Sequence, residues 1–235
     1  VQGEGMRYDR LVLFDIDGTL MNTDGAGNNA FVKALKRVFA RPFSIKGYSA
    51  SGKTDTQIAL EVAEMFGVER AVTEKHLETI REIYLKGLET ELAGTEPTVL
   101  PGARALVAAV AGESACVTGL LTGNFERAAW MKLQRIDLDD PFTMGAFGEA
   151  APSRDLLPQR AVDRALELTG QTFSGKEIVI LGDTPNDVAC GRHLNVKSIA
   201  VATGRYDVAQ LSAANPDHLF EDFRDTGKVL QAILD

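Results

Sequence analysis

The chain has 235 residues, of which 45% are hydrophobic and 25% are charged, and its formal net charge is −8. These values are typical of a soluble globular protein with one large domain, or with a core domain that carries an inserted module. The sequence has no basic tract, which argues against a broad nucleic-acid-binding surface, and no apolar run reaches the ~20 residues that would span a membrane.

The N-terminus and the cysteines indicate the compartment. Residues 1–10 contain charged residues and glycines but no apolar core, so we predict a short tail and not a secretory signal. The two cysteines, Cys116 and Cys190, lie in or beside apolar stretches, which favours buried free thiols over a disulfide. Free thiols fit a reducing compartment, and we expect a cytoplasmic protein.

Four short apolar runs end at polar or glycine-containing turns and predict buried strands. They cover residues 11–14, 115–121, 178–181 and 196–201. Helical patterns alternate with them at residues 124–134, 155–168, 186–193 and 206–213. This alternation predicts an α/β fold with a doubly wound, Rossmann-like parallel sheet. Such sheets bind their ligands at the carboxyl ends of the strands, where the polar turns lie.

One long segment between the first and second predicted strands contains only helical patterns. They cover residues 27–39, 54–66 and 73–92. So much helix exceeds what a single crossover connection needs. We therefore predict an α-helical cap domain at residues 24–97, inserted into a catalytic core that is formed by residues 1–23 and 98–235.

Two carboxylates, Asp15 and Asp17, directly follow the first predicted strand in the run Asp-Ile-Asp-Gly-Thr-Leu. At the end of a strand both side chains can reach the same crevice, where their charges repel each other unless a cation lies between them. Magnesium prefers such hard oxygen ligands and commonly retains a substrate phosphate. The alternative interpretation is an ordinary Asp-Gly turn after a strand.

A second polar segment, Thr122, Gly123 and Asn124, follows the next predicted strand and opens a predicted helix. A hydroxyl beside free backbone N–H groups at a helix N-terminus can bind an anion such as phosphate. The alternative is that Thr122 or Asn124 only caps the helix. The two roles are compatible, because one loop can do both.

A third segment brings two more carboxylates, Asp183 and Asp187, to the end of a predicted strand. Asp183 is placed to bind a metal, and Asp187 can bind it directly or orient another ligand. In the alternative interpretation Thr184 caps the next helix, Pro185 starts it and Asp187 complements its dipole. That interpretation leaves Asp183 unexplained.

These three motifs, in this order and at these separations, resemble the haloacid dehalogenase superfamily of phosphohydrolases. The resemblance covers essentially the whole chain, and the helical insert is similar to the cap that the family carries after its first motif. It implies that Asp15 is the nucleophile and forms an aspartyl-phosphate, and that Asp17 is the general acid and base. It also implies that Thr122, with Gly123 and Asn124, binds the phosphoryl oxygens.

The resemblance further implies a Mg²⁺ cofactor and a substrate class. Asp15, the backbone carbonyl of Asp17, and Asp183 would hold the metal, with support from Asp187. Phosphoglycolate phosphatases and β-phosphoglucomutases are similar to this chain in the order of their motifs and cap. We therefore expect hydrolysis of a small phosphorylated metabolite, with phosphoglycolate as the first candidate. A sugar phosphomutase of the same fold is the alternative.

The chain departs from the family at its usual lysine, because no lysine lies between Lys132 and Lys176. Arg154 lies where that cation is expected, with Arg160 as the second candidate. An arginine would keep the charge and add a bidentate contact to phosphate. Alternatively, Arg154 is a surface residue near the start of a helix.

A nucleotide-binding pattern, G-x-x-x-x-G-K-[ST], occurs at residues 47–54 within the predicted cap and ends with Lys53 and Thr54. A true P-loop follows a buried strand, and the preceding residues make a poor one. We interpret the segment as a cap loop whose Lys53 and Thr54 contact the substrate. The alternatives are a P-loop that binds a nucleotide through Lys53, and a solvated loop lysine.

Overall fold

The computed structural model describes residues 7–149 and 151–235. Most of the predicted N-terminal tail, residues 1–6, therefore lies outside the described residues, as does that part of the predicted core. The strands, in chain order, are β1 (Arg10–Phe14), β2 (Met21–Asn22), β3 (Thr98–Val99), β4 (Cys116–Leu121), β5 (Met144–Ala146), β6 (Ile178–Gly182), β7 (Lys197–Val201) and β8 (His218–Phe220).

Six of these strands form one parallel sheet in the order β5-β4-β1-β6-β7-β8. The order runs outward from β1 in both directions, which confirms the predicted doubly wound α/β fold. Strand β1 lies at the centre between β4 and β6, with Leu11 opposite both Val117 and Ile178. The segments that follow β1, β4 and β6 therefore meet at one edge of the sheet.

The α-helices are α1 (Ala26–Phe39), α2 (Asp55–Met65), α3 (Arg70–Ala93), α4 (Ala103–Gly112), α5 (Glu126–Gln134), α6 (Leu157–Thr169), α7 (Pro185–Cys190), α8 (Val208–Ala213) and α9 (Thr226–Leu234). Helices cover both faces of the sheet. Val12 and Phe14 pack into one apolar cluster with residues of α4, α5 and α9, whereas Leu11 and Leu13 pack into another with residues of α6. This alternation explains why the central strands are apolar at nearly every position.

The helical insert consists of α1, α2 and α3 and forms a cluster of its own around Phe31, Ile80 and Tyr84. Phe125 and Ala128, from the region of α5, join that cluster and connect it to the sheet domain. The chain enters and leaves the insert through β2 and β3, which pair antiparallel. The predicted helices at 27–39, 54–66 and 73–92 are thus confirmed, each within a few residues of its predicted ends.

Some elements differ from the predictions. The two edge strands, β5 and β8, and the terminal helix α9 were not predicted. The predicted helix at 155–168 is a 3-10 turn at Arg154–Leu156 followed by α6. The predicted helix at 206–213 begins only at Val208, because Asp207 caps it by accepting a hydrogen bond from the Gln210 N–H.

Two further expectations concern burial and membranes. Cys116 and Cys190 are buried free thiols, as predicted. Within residues 7–149 and 151–235, no helix combines the length and the apolar composition that crossing a membrane requires.

Candidate active site

Asp15 and Asp17 follow β1 directly, and their backbone is held by the sheet and by a tight turn. The Asp15 N–H donates to the Leu181 carbonyl at 2.9 Å, which continues the pairing of β1 with β6. Gly18 has a φ of +84°, and a Cβ there would lie 2.5 Å from Asp183 Oδ2. Only glycine fits this turn, which brings the backbone after Asp17 close to the carboxylate of Asp183.

Asp183 and Asp187 are brought to the same place by the end of β6 and the start of α7. Thr19 Oγ1 donates to Asp183 Oδ1 at 3.2 Å. Thr184 and Asp187 form a capping box, in which Asp187 Oδ2 accepts from the Thr184 N–H at 2.9 Å and from Thr184 Oγ1 at 2.6 Å. The cap predicted for Thr184 is therefore present, and the same hydrogen bonds fix Asp187 with its other oxygen, Oδ1, turned toward Asp15 and Arg154.

Three of the predicted carboxylates form one buried cluster. Asp15, Asp183 and Asp187 each offer an oxygen, and these oxygens lie within 4.8 Å of one another. Asp187 Oδ1 is buried, and although Arg154 Nη2 lies close to it, no donor of the described residues meets it in hydrogen-bond geometry. Closely spaced hard oxygen donors of this kind fit a divalent cation such as Mg²⁺. The Asp17 side chain lies outside the cluster, which leaves its backbone carbonyl as the predicted ligand.

Burial strongly disfavours the charged form of this cluster. It raises the pKa of Asp15 to about 7, against the opposing effect of Arg154. Burial also raises the pKa of Asp183 to about 8, and the neighbouring carboxylates of Asp187 and Asp15 add to the shift. A bound divalent cation would favour the ionised forms and reverse these shifts.

Arg154 supplies the buried cation expected at this site. Its Nη2 atom lies 3.0 Å from Asp15 Oδ1 and 2.5 Å from Asp187 Oδ1, and it donates to the Leu121 carbonyl at 3.1 Å. Arg160, the second candidate, donates from Nη1 to the Glu149 carbonyl at 2.7 Å. Of the two predicted arginines, Arg154 is therefore the one placed beside the carboxylate cluster.

The loop after β4 is organised differently from the simple helix-terminus site that the sequence predicts. Asn124 Nδ2 donates to Thr122 Oγ1 at 2.8 Å and to Asp17 Oδ2 at 2.7 Å. The Phe125 N–H donates to Asp55 Oδ2, and the Glu126 N–H donates to Glu149 Oε1. The prediction of free amides at the start of α5 is therefore wrong for these two residues. Thr122 and Asn124 contact the site through their side chains.

Sequence reasoning missed Lys132, on α5. Its Nζ atom lies 2.6 Å and 2.8 Å from the two carboxylate oxygens of Asp17 and 2.6 Å from Asn124 Oδ1. No local pattern marks this lysine, because its partner Asp17 lies 115 residues earlier in the chain. The only indication in the sequence was that Lys132 lies on the predicted helix that follows Thr122.

The segment with the nucleotide-binding pattern is not a P-loop. Among the described residues before Gly47 there is no strand from residue 23 onward, and a true P-loop follows one. Lys53 Nζ forms a 2.5 Å ion pair with Glu61 and lies 4.4 Å from the centre of the Tyr48 ring. The buried Thr54 caps α2 and donates from Oγ1 to the Ala151 carbonyl. Lys53, unlike this buried hydroxyl, lines the site cavity.

A cavity of about 460 Å³ lies between the insert and the ends of the strands. The core side contributes all three polar motifs, and the insert side contributes its first helix, Tyr84 and the loop that carries Lys53. The lining residues that matter here are Asp15, Asp17, Lys53, Asp55, Thr122, Asn124, Lys132, Arg154, Asp183 and Arg205. The predicted catalytic, phosphate-binding and metal-binding motifs thus border one concave cavity, as small-molecule sites do.

Asp55 holds the insert against the core at the edge of this cavity. Its N–H donates to the Gly123 carbonyl at 2.7 Å, and its Oδ2 atom accepts from the Phe125 N–H at 2.9 Å. Burial raises the pKa of Asp55 to about 7, although Lys132 and the Phe125 N–H favour its ionised form. The junction between insert and core therefore contains a carboxyl group that titrates near neutral pH.

Comparison with known proteins matches this chain to one family and to several relatives. The family model of the haloacid dehalogenase-like hydrolases matches residues 10–195. A phosphoglycolate phosphatase of Chromobacterium violaceum is 27% identical over 220 residues, which cover 88% of this chain and 91% of the relative. Pyrophosphatase PpaX of Bacillus mycoides is 24% identical over 228 residues, which cover 94% and 97%.

The fold is also similar to solved structures. A hydrolase from Pseudomonas syringae superimposes with a TM-score of 0.72 at 19% identity, and the match covers 97% of this chain and 100% of that one. At this level of identity the likeness concerns the fold. It agrees with the parallel six-stranded sheet described above.

Metal binding at the carboxylate cluster should compete with protons. Because the pKa values of Asp15 and Asp183 lie near 7 and 8 without a metal, both groups bind protons in mildly acidic solution. We expect the apparent affinity for Mg²⁺, measured from the rise in melting temperature, to be at least about tenfold weaker at about pH 6 than at about pH 8.5.

The matched variants for this titration are Asp183→Asn, which should lose the response to Mg²⁺, and the exposed Asp140→Asn, which should keep it. An affinity that does not change with pH, or a full response in Asp183→Asn, would contradict the metal site.

Asp55 should make the folded state less stable as the pH rises. Its pKa is about 7 in the folded chain, against an ordinary value of 3.8, so between these values the folded chain binds more protons than the unfolded chain. The stability lost across this window is at most about 4 kcal/mol, since one pKa unit corresponds to about 1.4 kcal/mol. Asp55→Asn keeps an acceptor for the Phe125 N–H and should remove that loss.

The measurement is the free energy of unfolding in denaturant, compared between the wild type and Asp55→Asn at about pH 5 and about pH 8. We expect the difference to favour the variant more strongly at the higher pH. Asp140→Asn serves as the control and should show no such trend. An equal difference at both pH values would show that Asp55 does not titrate in this window.

Proposed function

Because the chain belongs to the haloacid dehalogenase-like hydrolase family and is a phosphatase, we propose that it hydrolyses a small phosphate monoester through an aspartyl-phosphate on Asp15, with Mg²⁺ as cofactor. The observation that carries the proposal is the placement of Asp15. It is buried at the end of the central strand, ion-paired to Arg154, beside two further carboxylates and at the wall of the cavity.

In the first half of the proposed reaction, a carboxylate oxygen of Asp15 attacks the phosphorus atom. The bond between phosphorus and the ester oxygen breaks, and the leaving group takes a proton from Asp17. Asp17 suits this role because about 43% of its side chain is exposed, so that it faces the cavity where a leaving group would depart. The product of this half is a phosphorylated Asp15 and a free alcohol or acid.

In the second half, a water molecule attacks the phosphorus atom and gives its proton to the Asp17 carboxylate. The bond to Asp15 breaks, which releases inorganic phosphate and restores both aspartates. The charge on the transferring phosphoryl group has to be offset throughout, and this is most of what such catalysis requires. Arg154 is fixed for this purpose by its contacts to Asp15, Asp187 and the Leu121 carbonyl.

Mg²⁺ held by Asp15, Asp183 and the backbone carbonyl of Asp17, with Asp187 in support, would withdraw charge from the phosphoryl oxygens. Thr122 and Asn124 complete the phosphate site in this proposal. The Thr122 hydroxyl accepts from Asn124 Nδ2, so its own hydrogen is available to a phosphoryl oxygen. Gly123 lies between them at the wall of the cavity, and its backbone packs closely against the Lys53 carbonyl.

We further propose that residues 24–97 act as a cap over the core formed by residues 1–23 and 98–235. The cap closes the cavity through contacts at the start of α2, where Thr56 Oγ1 donates to the Gly148 carbonyl at 2.8 Å. The paired β2 and β3 form the short connection about which the cap would turn to admit substrate. Lys53, on a cap loop, is then positioned to contact the part of the substrate beyond the phosphate.

The cavity favours a small substrate with a second anionic group. Its volume of about 460 Å³ suits a compact metabolite. Arg205 lines it and makes no hydrogen bond or ion pair with any residue that the structure describes, so its charge is available to a ligand. The names of the relatives, a phosphoglycolate phosphatase and a pyrophosphatase, both denote substrates with a second negative charge. Phosphoglycolate is the substrate that we propose to test first.

Loss of the nucleophile or of the metal should abolish hydrolysis. We expect Asp15→Asn to lower kcat on an aryl phosphate by at least about a thousandfold, because no other group at the site replaces the attacking oxygen. Removal of divalent metal with a chelator should have a similar effect, reversed by added Mg²⁺. Asp140→Asn provides the control, and substantial activity after either treatment would refute the mechanism.

A substrate panel tests the proposed substrate class. We expect a higher kcat/KM for phosphoglycolate than for glycerol phosphate, which lacks a second anionic group near the phosphate. Arg205→Met should raise the KM for phosphoglycolate about tenfold or more and leave that for glycerol phosphate nearly unchanged, since only the former presents a charge to it. Equal effects on both substrates would contradict the role of Arg205, and isomerisation of a sugar phosphate would support the mutase alternative.

A further inference from the structure

Lys132 is a buried lysine whose ammonium group is fully engaged at the candidate site. Only about 4% of its side chain is exposed. Its three N–H donors match three acceptors, the two carboxylate oxygens of Asp17 and Asn124 Oδ1, at 2.6–2.8 Å. None of its hydrogen-bonding capacity is left for a substrate while these contacts persist.

The contacts form a network around the Asp17 carboxylate. Asn124 accepts from Lys132 through Oδ1 and donates through Nδ2 to Asp17 Oδ2 and to Thr122 Oγ1. Asp17 is therefore held by two donors from the region of α5, and one of those donors also orients the hydroxyl of Thr122. A short aspartate side chain held at both oxygens has few alternative rotamers available.

Stability alone gives little reason to keep a lysine at this position. Helix α5 packs Ala128, Ala129 and Leu133 into the apolar clusters, whereas Lys132 reaches from the same helix to polar groups at the cavity. When both partners of a buried ion pair are replaced by apolar residues, the change is often neutral or stabilising, so stability does not by itself explain why the pair of Lys132 and Asp17 is present. The partner of Lys132 is, moreover, the one carboxylate to which the proposed mechanism assigns proton transfer.

We propose that Lys132 is a positioning residue that holds the Asp17 carboxylate in the direction of the leaving group. The proposal rests on the role given to Asp17 in the proposed function. Among the described residues the Lys132 ammonium group contacts Asp17 and Asn124 and none of the three clustered carboxylates, so in this proposal it acts through Asp17. Proton transfer depends steeply on the alignment of donor and acceptor, so a misdirected Asp17 should slow that step more than substrate binding.

The test compares substrates whose leaving groups differ in their need for a proton. An alkyl phosphate such as glycerol phosphate has a strongly basic leaving group, whereas p-nitrophenyl phosphate has a weakly basic one. We expect Lys132→Met to lower kcat on the alkyl phosphate by about tenfold to a hundredfold, with a smaller loss on the aryl phosphate and little change in KM. Lys132→Gln, which keeps a polar group, provides a second variant if the first folds poorly.

The matched control is Lys197→Met. Lys197 is also buried, but its Nζ atom donates to the carbonyls of Ala232 and Ile233, away from the cavity. Its loss should lower the melting temperature without any dependence on the leaving group. If the Lys132 variants lose activity to the same degree on both substrates, the positioning role is wrong.

A double-mutant comparison with Asp17→Asn separates this proposal from the proposed function. If Lys132 acts through Asp17, the double variant should be no less active than Asp17→Asn alone, because the two residues serve one step. Additive losses would overturn the positioning role while leaving the phosphatase mechanism intact. If Asp17→Asn itself shows no dependence on the leaving group, the role of Asp17 fails, and the proposal for Lys132 fails with it.

Discussion

The crowding of buried carboxylates at the ends of β1 and β6 is the constraint on which the rest of this structure depends. Asp15, Asp183 and Asp187 are all buried, and the charge of Asp187 raises the pKa of both Asp15 and Asp183. Arg154 offsets part of that cost by pairing with two of them. The remainder has to be met by protons or by a divalent cation, which ties folding, metal binding and pH together at one site.

The helical insert meets the core by direct contact between backbones. A Cβ at Gly123 would lie 2.0 Å from the Lys53 carbonyl oxygen, and one at Gly148 would lie 2.0 Å from the Gly123 carbonyl oxygen. Three segments, from the insert and from the loops after β4 and β5, therefore stack at distances that only glycine allows. Because the middle segment also carries Thr122 and Asn124, the docking of the insert and the shape of the loop that we propose binds phosphate depend on each other.

The sequence predicted best those features that depend on residues close together in the chain. The central strands were predicted because their apolar runs are buried on both faces, and the carboxylates at their ends followed from the topology of a parallel sheet. Strands β5 and β8 were missed because each has only three residues at or near a sheet edge, where no continuous apolar run is needed. The boundary of the predicted cap at residues 24–97 stays a prediction.

Ion pairs between residues far apart in the chain could not be predicted from the sequence. They determine which aspartate each of the two buried cations of the site, Arg154 and Lys132, contacts. Arg154 contacts two carboxylates and a carbonyl through its Nη2 atom, whereas Lys132 directs its ammonium group at three acceptors, the two Asp17 oxygens and Asn124 Oδ1. Arg154 thus lies beside the predicted nucleophile, where the resemblance leads one to expect a lysine, whereas the buried lysine of this site lies on a different helix and contacts a different aspartate.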